Sequence, residues 1–117
     1  MRHLVKSKRL NRAKPHRDSL LTNMAVSVIL YEHVETTEAK AKFVKPFVEK
    51  LITIAKTKDP VTAMRQLTQL LPDEKAAQKL VRELKTRYAQ RSSGFTRVIR
   101  LGFRPSDAAR KAFIELV

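Results

Sequence analysis

The chain has 117 residues, of which 43% are hydrophobic, so it can form one small core and is too short for two ordinary domains. Its 25 Lys and Arg residues outnumber its 11 Asp and Glu residues, which gives a formal net charge of +14. This excess indicates an anionic partner, and phosphate backbones are favoured over the rival, an anionic membrane surface. No run of about 18 apolar residues predicts a membrane span, and no secretory signal is apparent after Met1.

The first segment is a basic extension that we place at residues 1–15, before a single compact domain at 16–117. Seven cations and no acid precede Asp18: Arg2, Lys6, Lys8, Arg9, Arg12, Lys14 and Arg17. Such a block can be a solvated tail or an arm that binds nucleic acid. We favour the arm because the cations recur later in the chain.

A first helix is predicted from His16 to about Tyr31, followed by a short strand. The recurrence of Leu20, Leu21, Met24, Ala25 and Val28 makes one apolar stripe at helical spacing. The β-branched stretch 34–36 then indicates a strand, and Thr37 stands where the N-cap of a second helix is expected.

Three more helices are expected after Thr37. The second carries an apolar face from Phe43 to Ala55, and Pro46 within it predicts a kink or two abutting helices. Asp59 and Pro60 form a cap and first turn for the third helix, which Pro72 ends. Asp73 caps a fourth helix that runs towards Tyr88.

A strand pair and a second basic block complete the chain. Residues 95–101 and 111–117 are predicted to pair through a long loop at about 102–110. No acid occurs between Glu83 and Asp107, whereas six cations do: Lys85, Arg87, Arg91, Arg97, Arg100 and Arg104. Arginine presents a planar fork that meets phosphate at two points and stacks on bases, so this block favours contact with ordered RNA.

The residue pattern predicts no catalytic, cofactor or metal site. The only two glycines stand alone, which argues against a phosphate-cradling loop, and the absence of cysteine removes disulfides and thiolate ligands and suits the cytoplasm. His3 and His16 are expected to contact RNA, whereas a zinc site or a carboxylate pair for acid–base catalysis is not expected. Tyr88, Phe95 and Phe103 could stack on bases, but single aromatics are usually core residues, so Phe95 is assigned to the core and Tyr88 is left open.

The order and spacing of many residues resemble the bacterial large-subunit ribosomal protein seventeen family along essentially the whole chain. The opening match is Met1, Arg2, His3, Leu10, Asn11, Arg12, His16 and Arg17, and it continues through Asn23, Met24, Ala25, Ser27, Thr36, Thr37, Lys40, Ala41, Lys42, Leu51, Ile52, Thr53, Ala55 and Lys56. The final match is Arg87, Tyr88, Arg91, Gly94, Thr96, Arg97, Gly102, Asp107, Ala108, Ala109, Ile114, Glu115 and Leu116.

The resemblance implies an α+β fold in which four helices pack in a layer on a small three-stranded mixed sheet, with a basic extended N-terminal tail. It further implies pairing between the segment after Thr36 and the C-terminal strand pair. The implied function is that of a structural constituent of the large ribosomal subunit in the cytoplasm of a bacterium, which binds large-subunit rRNA near the nascent-chain exit and lies beside neighbouring ribosomal proteins. No enzymatic activity, cofactor, metal, small-molecule substrate or membrane contact is expected.

The residues expected to contact RNA combine the basic extension with four arginines of the second block. They are Arg2, His3, Lys6, Lys8, Arg9, Asn11, Arg12, Lys14, His16, Arg17, Arg91, Arg97, Arg100 and Arg104. Two alternatives share the charge and size: an architectural DNA-binding protein, which would prefer duplex DNA, and an RNA-acting enzyme, which would need a convergent acid, base or metal cluster.

Overall fold

A computed structural model describes residues 10–117, and four helices and three strands follow one another in that range. Helix α1 spans Lys14–Tyr31, β1 spans His33–Thr37, α2 spans Glu38–Thr57 and α3 spans Pro60–Leu70. The fourth helix, α4, consists of three uninterrupted segments: Glu74–Lys79, the π-helical Leu80–Leu84 and Lys85–Arg87. Strands β2 and β3 span Thr96–Phe103 and Arg110–Leu116.

The predicted helix caps are confirmed by their hydrogen bonds. The Thr37 hydroxyl accepts from the Lys40 amide at 3.5 Å, and the Asp59 carboxylate accepts from the Thr62 amide at 3.2 Å. The Asp73 carboxylate accepts from the Lys75 amide at 2.8 Å. Each bond satisfies one of the amides that the first turn of a helix leaves without a partner, so the sequence sets these boundaries locally.

Two details of the helices differ from the sequence-based expectation. Helix α1 begins at Lys14, two residues earlier than predicted, because Pro15 has the backbone angle of a first helical turn. Helix α2 continues through Pro46 as one helix, so of the two alternatives that the sequence offered, that of two abutting helices is wrong. The apolar face of α2 is fully buried at Val44, Val48 and Leu51, and this packing outweighs the amide that proline lacks.

The sheet is antiparallel throughout, with the strand order β1-β3-β2. The α+β class is confirmed, whereas the expectation of a mixed sheet is wrong. The strand that pairs with β3 lies at His33–Thr37, and the segment after Thr37 is already helical, which corrects the pairing expected after Thr36. Three helices separate β1 from β2, and a hairpin joins β2 to β3, so each pair of neighbouring strands can run in opposite directions.

The hydrophobic core lies between the sheet and the helices, and α2 is at its centre. Helix α2 contacts all three strands and the other three helices, while α1 contacts β1 and β3. The buried side chains come from every helix and from two strands, and include Ile29, Leu51, Leu67, Leu80 and Ile114. On the opposite face of the sheet every described side chain is exposed or half-buried, so this face and the hairpin end of β2 and β3 are accessible.

Candidate nucleic-acid interface

The predicted RNA-binding residues of the extension fall partly within the described part of the chain. Arg2, His3, Lys6, Lys8 and Arg9 lie outside the described residues. Asn11, Arg12, Lys14, His16 and Arg17 are described, and they gather at the start of α1.

Local hydrogen bonds order the start of α1. Leu10 and Asn11 both have a φ of 53°, and this left-handed turn brings the Leu10 carbonyl to the Arg12 guanidinium at 3.0 Å. The Arg17 guanidinium donates to the Arg12 carbonyl at 3.4 Å, and the Arg17 amide donates to the Ala13 carbonyl at 2.9 Å. Asn11, Lys14 and His16 are exposed.

The charges at this helix end repel the helix dipole. The first turn of α1 contains no acid, and its cations lie where the partial charge of the helix is positive. A cation in this position is unfavourable by a few tenths of a kcal/mol to about 1 kcal/mol, so helix stability does not explain the choice of residues. An anion bound at this end would relieve the repulsion.

The four arginines of the second block lie at intervals before, along and after the edge strand β2. Arg91 lies in the turn before β2, where its guanidinium donates to the Gly94 carbonyl at 2.9 Å. Arg97 and Arg100 are on the strand, and Arg104 directly follows it. The eight residues of β2 extend over about 26 Å at the usual rise of a strand, so the four side chains follow a line along the sheet edge and do not form one compact cluster.

Three of these arginines hold a carboxylate of the same chain. The Arg97 Nε lies 2.7 Å from Glu115, the Arg100 Nε lies 3.2 Å from Glu38, and Arg104 contacts both oxygens of Asp107, at 2.9 and 2.6 Å. All three guanidinium groups remain accessible to solvent. A phosphate must therefore share or replace an existing partner at these positions.

The pKa values follow from these contacts. Hydrogen bonds from Arg104 and, secondarily, from the Ala109 amide lower the pKa of Asp107 to about 2. The pKa of Glu38 is lowered chiefly by its hydrogen bond with Lys42, and Arg100 adds to this effect. Both carboxylates are therefore ionised at neutral pH and hold their cations in fixed positions.

The sequence does not predict the exposure of three side chains at the hairpin end. Phe103 is 67% exposed and Leu101 is 44% exposed, which is unusual for large apolar residues. Arg110 is exposed and pairs across the sheet with Phe103. The interleaving of arginine with Phe103 was visible in the sequence, but the exposure of the ring depends on the tertiary structure.

The other aromatic residues of the second block belong to the core. Phe95 is buried as expected, and Tyr88 is only 3% exposed while its hydroxyl donates to the Val117 carbonyl at 2.8 Å. The two rings pack with centroids 5.2 Å apart. Neither ring is available to stack on a base, which settles the role that the sequence left open for Tyr88.

Comparison with known proteins gives agreement along the whole chain. The family model described as "Ribosomal protein L17" matches residues 20–117. The chain belongs to this family. It is 43% identical over all 117 residues to the "Large ribosomal subunit protein bL17" of Rickettsia typhi, covering 85% of that protein. Proteins of the same name from Orientia tsutsugamushi and Neorickettsia sennetsu are 46% and 43% identical over the full chain, which covers 80% and 100% of them.

Membership of this family confirms the resemblance seen in the sequence. The chain is a structural constituent of the large ribosomal subunit and not an enzyme, and its place is the ribosome in the cytoplasm. Within residues 10–117, no helix is both long enough and apolar enough to cross a membrane. The same described range contains no group of three potential metal-ligating side chains.

Proposed function

We propose that this member of the ribosomal protein L17 family binds and braces large-subunit rRNA near the nascent-chain exit, beside neighbouring ribosomal proteins, during assembly and translation. The observation that carries the proposal is the run of seven cations without an acid before Asp18, on a chain with a net charge of +14. Each phosphate contact releases condensed counterions, so such a run favours a polyanion strongly. The location near the exit follows from the family resemblance alone.

The extension is the first of two RNA-binding regions in this proposal. Its side chains Arg2, Lys6, Lys8, Arg9 and Arg12 neutralise phosphates that would otherwise repel one another. The contact is completed by His3, Asn11 and Lys14, together with His16 and Arg17 of the adjoining part of α1. The cations at the start of α1 support this assignment, because they are unfavourable for the helix and favourable for a bound phosphate.

The edge of the sheet is the second RNA-binding region. Arg91, Arg97, Arg100 and Arg104 follow the edge strand β2, and their guanidinium groups are accessible although three of them hold carboxylates. Once the extension has bound one RNA segment, contact with a second segment becomes intramolecular and gains a high effective concentration. A small rigid body can brace two parts of a large RNA in this way.

Deletion of residues 1–13 tests the proposal. The truncated chain should enter large subunits less well than the full chain in reconstitution, because five cations are lost, while its helical circular dichroism should persist. The matched control substitutes Gln for five exposed cations on the helical body, four within α2, α3 and α4 and one directly after α2: Lys50, Lys58, Arg65, Lys75 and Arg82. Equal incorporation of the truncated and full chains would refute the role of the extension in RNA binding. Loss of the helical signal would refute the expectation that the remaining chain folds without the extension.

A binding assay separates this function from that of an architectural DNA-binding protein. Deproteinised large-subunit rRNA and duplex DNA should be compared as competitors at matched salt, because both present phosphates and only their shapes and bases differ. Preference for the rRNA is expected. Preference for the duplex DNA would contradict the proposal.

A further inference from the structure

The hairpin of β2 and β3 forms a cleft beside the first turn of α2. The cleft has a volume of about 260 Å³ and is open to solvent. This volume lies just below the roughly 300–1,000 Å³ of pockets that hold drug-sized ligands, so it suits one planar group. Its lining residues are Glu38, Arg100, Gly102, Phe103, Arg110 and Lys111.

A β-bulge places Phe103 in this cleft. The register is Arg100 opposite Ala112 and Gly102 opposite Lys111, so Leu101 is an extra residue on β2. Phe103 consequently pairs with Arg110, and its side chain lies on the same sheet face as Arg100. With uninterrupted alternation Phe103 would lie on the opposite face. Gly102 has a φ of +106°, a conformation that L side chains rarely adopt, so the bulge depends on glycine.

The ring of Phe103 lines the cleft together with three cations, Arg100, Arg110 and Lys111. The Glu38 side chain is 8% exposed, and its Oε1 lies 2.7 Å from the Lys42 Nζ and 3.2 Å from the Arg100 Nε. Glu38 thereby holds Arg100 beside the cleft, and the exposed Arg110 lies opposite Phe103. An exposed aromatic ring in a cleft that two arginines also line matches a base with its neighbouring phosphates, because bases stack on aromatic rings and phosphates bind guanidinium.

We propose that Phe103 stacks on an unpaired nucleobase of large-subunit rRNA, while Arg100 and Arg110 contact the adjacent phosphates. This inference rests on the proposed function and specifies what one part of the interface recognises: a single-stranded nucleotide and not the backbone of a helix. Stacking on a ring tolerates any base, so the contact is selective for an unpaired position more than for sequence.

Equilibrium binding of the full chain to deproteinised large-subunit rRNA over a series of KCl concentrations tests the inference. Phe103→Ala should weaken binding about 5- to 150-fold, the range for loss of one base–aromatic stack, without changing the slope of log K against log salt. Phe103→Tyr keeps an aromatic ring and should bind as tightly as the unchanged chain. The matched control is Tyr31→Ala, since Tyr31 is 73% exposed. Tyr31 precedes the His33 end of β1, which lies away from the loop that joins β2 and β3. The control should bind as the unchanged chain does.

The outcomes separate this inference from the proposed function. If the unchanged chain does not bind the rRNA in preference to duplex DNA at matched salt, the proposed function fails. If it binds and Phe103→Ala binds equally well, only the inference is wrong. A photocrosslinking phenylalanine analogue at position 103, in assembled large subunits, should label an unpaired nucleotide. A crosslink to a neighbouring protein, or to a base-paired nucleotide, would overturn the inference even if the affinity had fallen.

Discussion

The ion pair between Arg104 and Asp107 provides a direct test of the role proposed for the hairpin loop. Asp107 holds the Arg104 guanidinium at two points, and its carboxylate, with a pKa of about 2, stays ionised in any practical binding assay. Only a substitution can therefore release Arg104. Asp107→Asn removes the charge but keeps a carbonyl oxygen that can accept from the Ala109 amide, which lies 3.1 Å away.

The loop should keep its shape in this variant, because two hydrogen bonds between backbone groups close it and do not involve the carboxylate. The Arg104 amide donates to the Ala109 carbonyl and the Ala108 amide donates to the Arg104 carbonyl, each at 2.8 Å. One freed guanidinium adds about one phosphate contact, which steepens the slope of log K against log salt by about 0.7 to 0.9. The ratio of rRNA affinities at 50 and 200 mM salt should then rise roughly threefold.

The assay is filter binding of the full chain to deproteinised large-subunit rRNA at several salt concentrations. Glu74→Gln is the matched control, because it raises the net charge equally at an exposed position on α4, away from the hairpin. The control should leave the slope unchanged. An unchanged slope for Asp107→Asn would refute the reasoning, since it would mean that Arg104 does not meet a phosphate when freed.

Three further predictions concern stability. Glu32 lies 2.7 Å from Arg87 and 3.0 Å from Lys79, and its pKa is lowered chiefly by Arg87 and secondarily by Lys79. Its contribution to the unfolding free energy is therefore fully present above the ordinary glutamate pKa and is lost as pH falls through the lowered pKa. Glu32→Gln should flatten this acid dependence in urea unfolding measured over a pH series. Leu51→Ala should lower the unfolding free energy by about 2–5 kcal/mol in denaturant titration, because Leu51 is fully buried. Pro46→Ala restores an amide donor to α2 at an exposed position and should raise Tm in thermal unfolding. The corresponding gain in unfolding free energy has an upper limit of about 3 kcal/mol.

The helices were predictable because their signals are local. Thr37, Asp59 and Asp73 cap the helices at which the sequence placed them, and the apolar stripes correspond to the buried faces. Caps and periodicity act within one or two turns, so they are readable without tertiary structure. The continuity of α2 through Pro46 was not predictable in this way, since it depends on packing against the sheet and the other helices.

The candidate site was predictable as a composition and not as a geometry. The basic extension, the second arginine block and the family pattern all lie in the sequence itself, because charge and residue order are properties of the chain. The carboxylate partners of Arg97 and Arg100 could not be found in this way, since Glu115 and Glu38 come from distant segments that the sheet and α2 bring together.

The sequence by itself determined the class of the protein, its single small core, the N-caps of three helices and its family. Tertiary structure decided the strand directions, the burial of Tyr88 and the position of Phe103. The physical reason is that a strand's side chains alternate with a period of two, so one extra residue at Leu101 moves Phe103 to the other face of the sheet. Such a shift arises from the register in which β2 pairs with β3, and short-range sequence signals do not specify that register.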